Sequence, residues 1–490
     1  MNFRVIFNSL GKVAVVLGVL MLLPMIVAIG FSESSWWTFA VTIALTELFG
    51  LPLMFFCKPK TRNFYSREGF ILVSLCWLYA SIVSTLPYII SRQIPSFVDA
   101  LFEMVSGFTT TGATILSGER IEALPKGLQF WRCFTHWIGG MGIIVFVMAL
   151  ISGQSERSMH VLRAEMPGPI VDKIVPRARD TAKILYLIYI SFTIIQICLL
   201  ILSGMPVYDS IVNSFSTAGT GGFSPRADSI AGYNSTCQWI IAIFMVLYGV
   251  NFNVYYLMLL RRFKSAISSQ EFLTYLGIVA FSSLTIFANI LNKFSYTMEV
   301  GDALRHAFAQ VASFMTTTGN STIPVSSSIN DWPNYSKTVL FLLMFIGGCA
   351  GSTAGGLKVS RVVMLFSALR KALRKALHPR NANVVRYEGK PLSDEAVTGV
   401  TNYFWIYMVI MAVVLLILSL DSNSGLTIET NITATVSCFN NVGPAYGIAT
   451  SGYYMYSWLS KLTLTIAMLL GRLEIYPLIL SFAPSTWIKK

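Results

Sequence analysis

Four stretches of this chain place threonine, small residues and glycine in otherwise apolar surroundings. They are FTTTGATIL (108–116), FSTAGTGGF (215–223), FMTTTGN (314–320) and FNNVGPAYG (439–447). They recur at roughly hundred-residue intervals, as copies of one unit would. The chemistry on offer lies in the backbone. Glycine takes φ > 0 and approaches its neighbours closely. Turns at Thr111-Gly112, Thr220-Gly221, Thr318-Gly319 and Val442-Gly443 can therefore aim carbonyl oxygens inward. Carbonyl rings replace the water shell of a cation. No carboxylate lies inside the four stretches, which suits a weakly hydrated monovalent ion better than a divalent one. One TTTG alone reads as a capped turn. Four in register with the hydrophobic pattern read as a shared site.

The elements before each turn are short. Asp99 is placed to N-cap a helix that ends at the first turn. About ten helical residues rise only ~15 Å, half a bilayer. The chain must then leave on the side it entered, as a re-entrant loop whose non-helical backbone is covered by protein or water. Asp209 and Asp302 open the second and third copies, and TIETNITATVSCFNNVG, less cleanly capped, forms the fourth.

Between these elements run long apolar segments. The 490 residues are 54% hydrophobic and 12% charged, with a mean hydropathy of +0.63. A bilayer core needs ~20 apolar residues per helix. Ten spans are expected, near 11–31, 36–56, 68–91, 128–152, 182–203, 237–260, 271–291, 338–367, 398–420 and 458–483. The fold class is an all-α polytopic membrane protein. Four M1–P-helix–M2 repeats surround a pseudo-fourfold pore, preceded by an N-terminal two-helix hairpin. The expected divisions are 1–67, 68–180, 181–266, 267–392 and 393–490. The first span, followed at once by a second and by no convincing small-residue cleavage site, reads as permanent rather than as a signal peptide.

The net charge of +13 is explained by the positive-inside rule rather than by nucleic acid. Basic residues follow alternate spans, at 58–67, 157–183, 261–264, 370–386 and 489–490. That side is cytoplasmic, with both termini. Asp99, Glu103, Glu119, Glu122, Asp209, Asp228 and others fall opposite, where acids can concentrate cations. Seven scattered cysteines form no disulfide or CxxC pattern.

Span eight is interrupted by IGGCAGSTAGGLK (346–358), with Gly347, Gly348, Gly351, Ser352, Thr353, Gly355 and Gly356. Glycine costs about 1 kcal/mol per helical position relative to alanine. The segment is either close small-residue helix packing or a flexible intramembrane loop, which we favour. A phosphate loop is weaker, because Leu357 separates Gly356 from Lys358 and no strand precedes. Arg472 lies inside span ten, where an ionisable residue calls for a named partner. It either caps carbonyls of the broken span or raises a barrier to cations against loop 347–356. Glu474, two residues on, faces elsewhere. His136 and His306 lack companions at metal spacing and read as structural, and Glu47 has no clear role. ALRKALRKALHPR (368–380) is either a headgroup anchor or a docking helix, and 154–183 is a second candidate dock.

The chain resembles the Trk/Ktr/HKT superfamily of potassium transporters, its TrkH branch most closely. The resemblance rests on SGFTTTGAT (106–114), HWIGGMGIIV (136–145), EMPGP (165–169), TGGFS (220–224), RHAFAQ (305–310), SFMTTTG (313–319), GGCAGSTAGGLK (347–358), FNNVGP (439–444) and GRLEIYPL (471–478). It implies potassium as the transported ion at the four turns, no covalent cofactor, and the 347–356 loop as a gate with Arg472 below the filter. It also implies a homodimer in the bacterial cytoplasmic membrane and a cytosolic TrkA-type subunit that alone carries nucleotide. Gly219 and Val442 depart from the usual pattern, which bears on the register of the second and fourth turns. An ion-coupled carrier with alternating access is the competing function, since such proteins use broken helices. A membrane enzyme would need a clustered acid/base or metal set, and none is visible.

Overall fold

The apolar runs of the sequence fold as helices. The computed structural model describes residues 3–58, 66–142, 178–294, 298–324, 329–378, 384–421, 423, 425–473 and 475–484. Helices α1 (Phe3–Leu20), α2 (Leu22–Gly30) and α3 (Trp36–Phe56) form the N-terminal hairpin. There Gly11 packs on the backbone of Gly50 and Met54, the close approach that small residues permit.

A recurring order follows. First come α4 (Ser66–Ile90), short α5 (Phe97–Phe108), α6 (Gly118–Ala123) and α7 (Lys126–Gly140). Next are α8 (Ala178–Leu202), short α9 (Val207–Ala218), α10 (Ser235–Tyr248), α11 (Phe252–Leu259) and α12 (Phe263–Ile267). Then α13 (Gln270–Phe294), short α14 (Val300–Met315), α15 (Asn334–Ile346) and α16 (Val359–Leu377). A small antiparallel hairpin, β1 (Arg386–Tyr387) with β2 (Lys390–Pro391), leads to α17 (Asp394–Leu418), short α18 (Ile428–Phe439), α19 (Trp458–Arg472) and α20 (Ile475–Phe482).

Among the described residues, six helical stretches, α1 and α2 counted as one, are long and apolar enough to cross a membrane unaided. The other expected spans are interrupted. Span six bends by 89° between α10 and α11, and span ten by 119° between α19 and α20. The first bend has a local cause. Asn251 caps α11 by accepting from the Asn253 amide (2.9 Å), and Gly249 fits where a Cβ would meet Tyr275 and Thr316. Span eight is broken between α15 and α16, and span four is described only to Gly142.

The outer surface is greasy. Leu48, Phe56, Leu202 and Phe281 are each at least 69% exposed. Threonines, serines and asparagines of the short helices are buried instead. That inversion suits hydrocarbon outside and a polar axis within.

The short helices run 12, 12, 16 and 12 residues, or about 18 Å for the shorter ones at ~1.5 Å per residue. Their caps differ from expectation. Ser96, not Asp99, caps α5, and α9 and α14 follow Pro206 and Glu299. Asp99, Asp209 and Asp302 sit in the first turn, where a carboxylate favours the positive helix end. The fourth helix is the better capped, with Thr427 Oγ1 accepting from the Thr430 amide (3.2 Å).

Candidate functional site: four glycine turns and the loop beneath them

Each short helix ends in the same cap. The amides of Thr111, Gly221, Thr318 and Val442 donate to the carbonyls of Ser106, Ser216, Ser313 and Ser437, at 2.8–2.9 Å. This is the six-to-one bond of a Schellman cap, which needs a left-handed residue just before the donor. Thr110, Thr220, Thr317 and Asn441 fill that place, with φ of 55 to 57°. Glycine normally stands there. A β-branched residue at positive φ is an outlier, and strain of this kind persists only where surrounding structure over-determines it. Two residues on, Gly112, Gly222 and Gly319 have φ of 78° and Gly443 has 103°.

The four turns meet. A Cβ on Gly112 would overlap the carbonyl oxygen of Gly221, and one on Gly222 the carbonyl of Thr318. Likewise Gly319 abuts the carbonyl of Val442, and Gly443 that of Thr111. The contacts run from the first turn to the second, third and fourth and back to the first, a closed ring. Each turn contributes one glycine and one carbonyl to it.

The ring corrects the register of the second turn. Expectation set Thr220-Gly221 beside Thr111-Gly112. The structure sets Gly221-Gly222 there, with Thr220 in the left-handed place of Thr110. Counting from the helix end settles it, since Gly219, like Thr109, is the C-cap. Thr318-Gly319 and Val442-Gly443 occupy the expected places in the ring.

Side chains behind the ring were partly missed. Glu103, expected among the outer acids, is fully buried in α5. Its carboxylate accepts from Arg132 Nε (2.6 Å), Thr114 Oγ1 (3.0 Å) and the Ile115 amide (3.0 Å). The Arg132 guanidinium lies 3.5 Å from the Phe223 ring centroid and donates to the Ser224 carbonyl (3.4 Å). Glu103 and Arg132 thus join the segments leaving turns one and two. The cue was available: Arg132 lies in an apolar span, and such a residue needs a counter-charge. His136 donates from Nδ1 to the Gly107 carbonyl (2.7 Å) and accepts at Nε2 from the Phe223 amide (3.4 Å). His306 pairs with Thr322 (2.8 Å). Lys461 Nζ donates to Asp99 (2.7 Å), fastening α19 to α5.

The segment between α15 and α16 folds back on itself. Gly347, Gly351 and Gly356 have φ of 72 to 76° and Lys358 has 78°. A Cβ on Gly347 would overlap the Gly355 carbonyl. The loop bonds to segments around residues 248–249, 317 and 440. Gly355 donates to Thr317 Oγ1 (2.6 Å) and Gly356 to the Asn440 carbonyl (3.0 Å), both just behind ring residues. Cys349 donates to the Gly249 carbonyl (2.9 Å). Thr353 Oγ1 donates to the Tyr248 carbonyl (3.3 Å), and Ser352 Oγ to the Cys349 carbonyl (2.6 Å). Gly348 lies against Ala354 and the Gly249 carbonyl.

Arg472 reaches the same loop. Its Nη1 donates to the Thr353 carbonyl (2.8 Å), and Nη2 to the carbonyls of Gly139 (2.6 Å) and Gly140 (2.7 Å). It therefore does cap carbonyls, those of α7 together with one of the loop. With Gly140, Gly351, Ser352 and Lys358 it borders a cavity of about 50 Å³, which holds a few waters at most. Lys358, bonded to the Ala354 carbonyl, is a second cation there, which the sequence offered only in the phosphate-loop reading. Helices flank the loop on both sides, so the strand–loop–helix context of a phosphate loop is missing.

Glu47 lies in the N-terminal hairpin against Gly18, away from ring and loop. Glu474, EMPGP (165–169) and nearly all of 154–183 lie outside the described residues. Among the described residues no three His, Cys, Asp or Glu side chains cluster as a metal site.

The family described as "TrkH: Cation transport protein" matches residues 37–490. The Trk system potassium uptake protein TrkH of Salmonella typhimurium is 34% identical, covering 99% of this chain and 100% of its own. The Escherichia coli K12 protein TrkG is 31% identical over 99% of both. The crystal structure of the potassium transporter TrkH from Vibrio parahaemolyticus superposes with a TM-score of 0.87 at 31% identity, covering both chains entirely. The chain belongs to the TrkH family of cation transport proteins and is a membrane transport protein rather than an enzyme.

Proposed function

We propose that this chain carries potassium into the cell through the ring of glycine turns, by channel-like permeation. The observation that carries the reading is the closed cycle of contacts in which the carbonyls of Thr111, Gly221, Thr318 and Val442 each meet the preceding turn's glycine. Oxygens so fixed substitute for a hydration shell without reorganising. The C-terminal ends of four short helices converge there and add partial negative charge. The relatives named for potassium uptake supply the ion.

In this reading 68–180, 181–266, 267–392 and 393–490 are the four pore units, and Gly347–Gly356 is the gate beneath them. Arg472 holds the gate shut and opposes cations. Both termini and the basic helix α16 face the cytoplasm of a bacterial inner membrane. Two copies form a homodimer, and a TrkA-type subunit supplies nucleotide control. Charge reversal at Arg370, Lys371, Arg374 and Lys375 separates docking from lipid anchoring: lost capture of that subunit supports docking, retained capture the anchor.

The test is tracer flux of K⁺, Rb⁺, Na⁺ and Li⁺ in proteoliposomes, with and without Gly112→Ser. Selective K⁺ and Rb⁺ flux that Gly112→Ser degrades supports the reading; unaltered selectivity contradicts it. Alternating access is the rival that the interrupted helices favour. Single-channel currents decide between the two.

A further inference from the structure

We propose that Glu271 is the positioning residue that keeps the intramembrane loop across the ion path, and that Glu388 steadies it from the cytosolic side. The inference rests on the gate reading of 347–356 above.

Glu271 stands in the first turn of α13 and is 4% exposed. Its Oε1 accepts from the Ala350 amide (2.7 Å) and from the Ser360 amide (3.2 Å). Ala350 lies early in the loop, and Ser360 lies in the first turn of α16, just past its end. One carboxylate oxygen thus clasps both ends of the interrupted segment. A buried carboxylate is strongly penalised unless its partners compensate.

Glu388 sits in the turn of the β1–β2 hairpin, at φ of 50°. Its carboxylate accepts from Ser269 Oγ (2.9 Å), the Gln270 amide (3.1 Å) and the Glu271 amide (3.0 Å). It caps α13 from a segment 117 residues away. Val385 and Tyr387 of the same hairpin are buried, so the cap is anchored.

A closed mechanical circuit results: loop, α16, hairpin, first turn of α13, and back to the loop through Glu271. The other hooks on the loop, Tyr248, Gly249, Thr317, Asn440 and Arg472, belong to the membrane interior. The two glutamates are the ones that tie the loop to the start of α16 and to the hairpin that follows it. A displacement of α16 or the hairpin relative to α13 strains both clasps at once and frees the loop.

The experiment measures Rb⁺ tracer flux by the full chain in proteoliposomes without any cytosolic subunit. A second readout is thiol labelling of Ser352→Cys, in a background where exposed Cys198 and part-exposed Cys57 are serine. Glu271→Ala is expected to raise basal flux at least threefold and to speed labelling, with the Rb⁺/Na⁺ ratio unchanged. Glu271→Gln keeps an acceptor oxygen and should stay within twofold of the parent. Glu388→Ala should fall between them. Parental flux and labelling in Glu271→Ala, beside raised flux in Arg472→Ala, would overturn this inference alone. If Arg472→Ala is silent too, the gate reading falls with it. A changed Rb⁺/Na⁺ ratio would mean general damage and also overturn it. Should Glu271→Ala fail to fold, Glu388→Ala decides, and parental values there refute the circuit.

Discussion

The ring and the loop draw on the same residues, glycine and threonine, yet they are held in different ways. The ring is four copies of one motif. Each copy is closed by its own helix-cap bonds and wedged against its neighbour through backbone atoms. The loop occurs once. Side chains from distant segments hold it, namely Thr317, Glu271 and Arg472. A repeated backbone lattice has no low-energy alternative, because moving one turn disturbs two others. A single loop on dispersed polar hooks can release as a unit. On the proposed gating, similar composition gives a rigid element in one place and a two-state element in the other.

The sharpest way to break the comparison is to make one change in both regions. Gly112→Ala puts a side chain at φ of 78° and against the Gly221 carbonyl. The left-handed backbone alone costs about 1–2 kcal/mol, and each ~1.4 kcal/mol is tenfold. K⁺ flux should drop more than tenfold, and likewise for Gly222→Ala. Gly347→Ala has a similar φ and overlaps the Gly355 carbonyl, but it destabilises the seated loop, so flux should rise. The same sign at both sites would erase the distinction.

Next in size is the pair behind the ring. Glu103→Ala leaves Arg132 buried without its carboxylate, at a cost of about 3–5 kcal/mol. Thermal unfolding in detergent should shift down sharply, and much less for the paired change Glu103→Gln with Arg132→Met. Arg472→Ala should raise flux several-fold at constant selectivity, since the loop loses the Thr353 contact. Thr317→Val removes one hydroxyl bond to Gly355, worth about 1 kcal/mol, and should raise basal flux by less than Arg472→Ala does. Ser96→Ala, a cap remote from both regions, should cost about 1 kcal/mol of stability and leave flux unchanged.

Much of this was legible because the signals are local. Twenty apolar residues announce a span, and TTTG announces a turn. The second turn misled because TGG offers two glycines, and matching Thr-Gly to Thr-Gly ignores the helix end at Ala218 that fixes the count. The bends of spans six and ten were missed although a polar residue stands at each, Asn251 near Gly249 and Arg472 beside Leu473. Hydropathy measures burial in lipid and is blind to which carbonyls another segment will claim. Glu103 and Glu271 were invisible for a related reason. Glu271 stands in the first turn of its helix, where solvated acids are common, and Glu103 lies mid-helix in α5. Only the fold brings Arg132 or Ala350 to them.

The central claim is that the four turns form one site for a desolvated monovalent cation. The most direct measurement is a map of anomalous scattering from the purified protein crystallised in Rb⁺ or Tl⁺. The account predicts a peak on the common axis, equidistant from the carbonyl oxygens of Thr111, Gly221, Thr318 and Val442. An empty axis, with ions bound at side-chain carboxylates elsewhere, would contradict it.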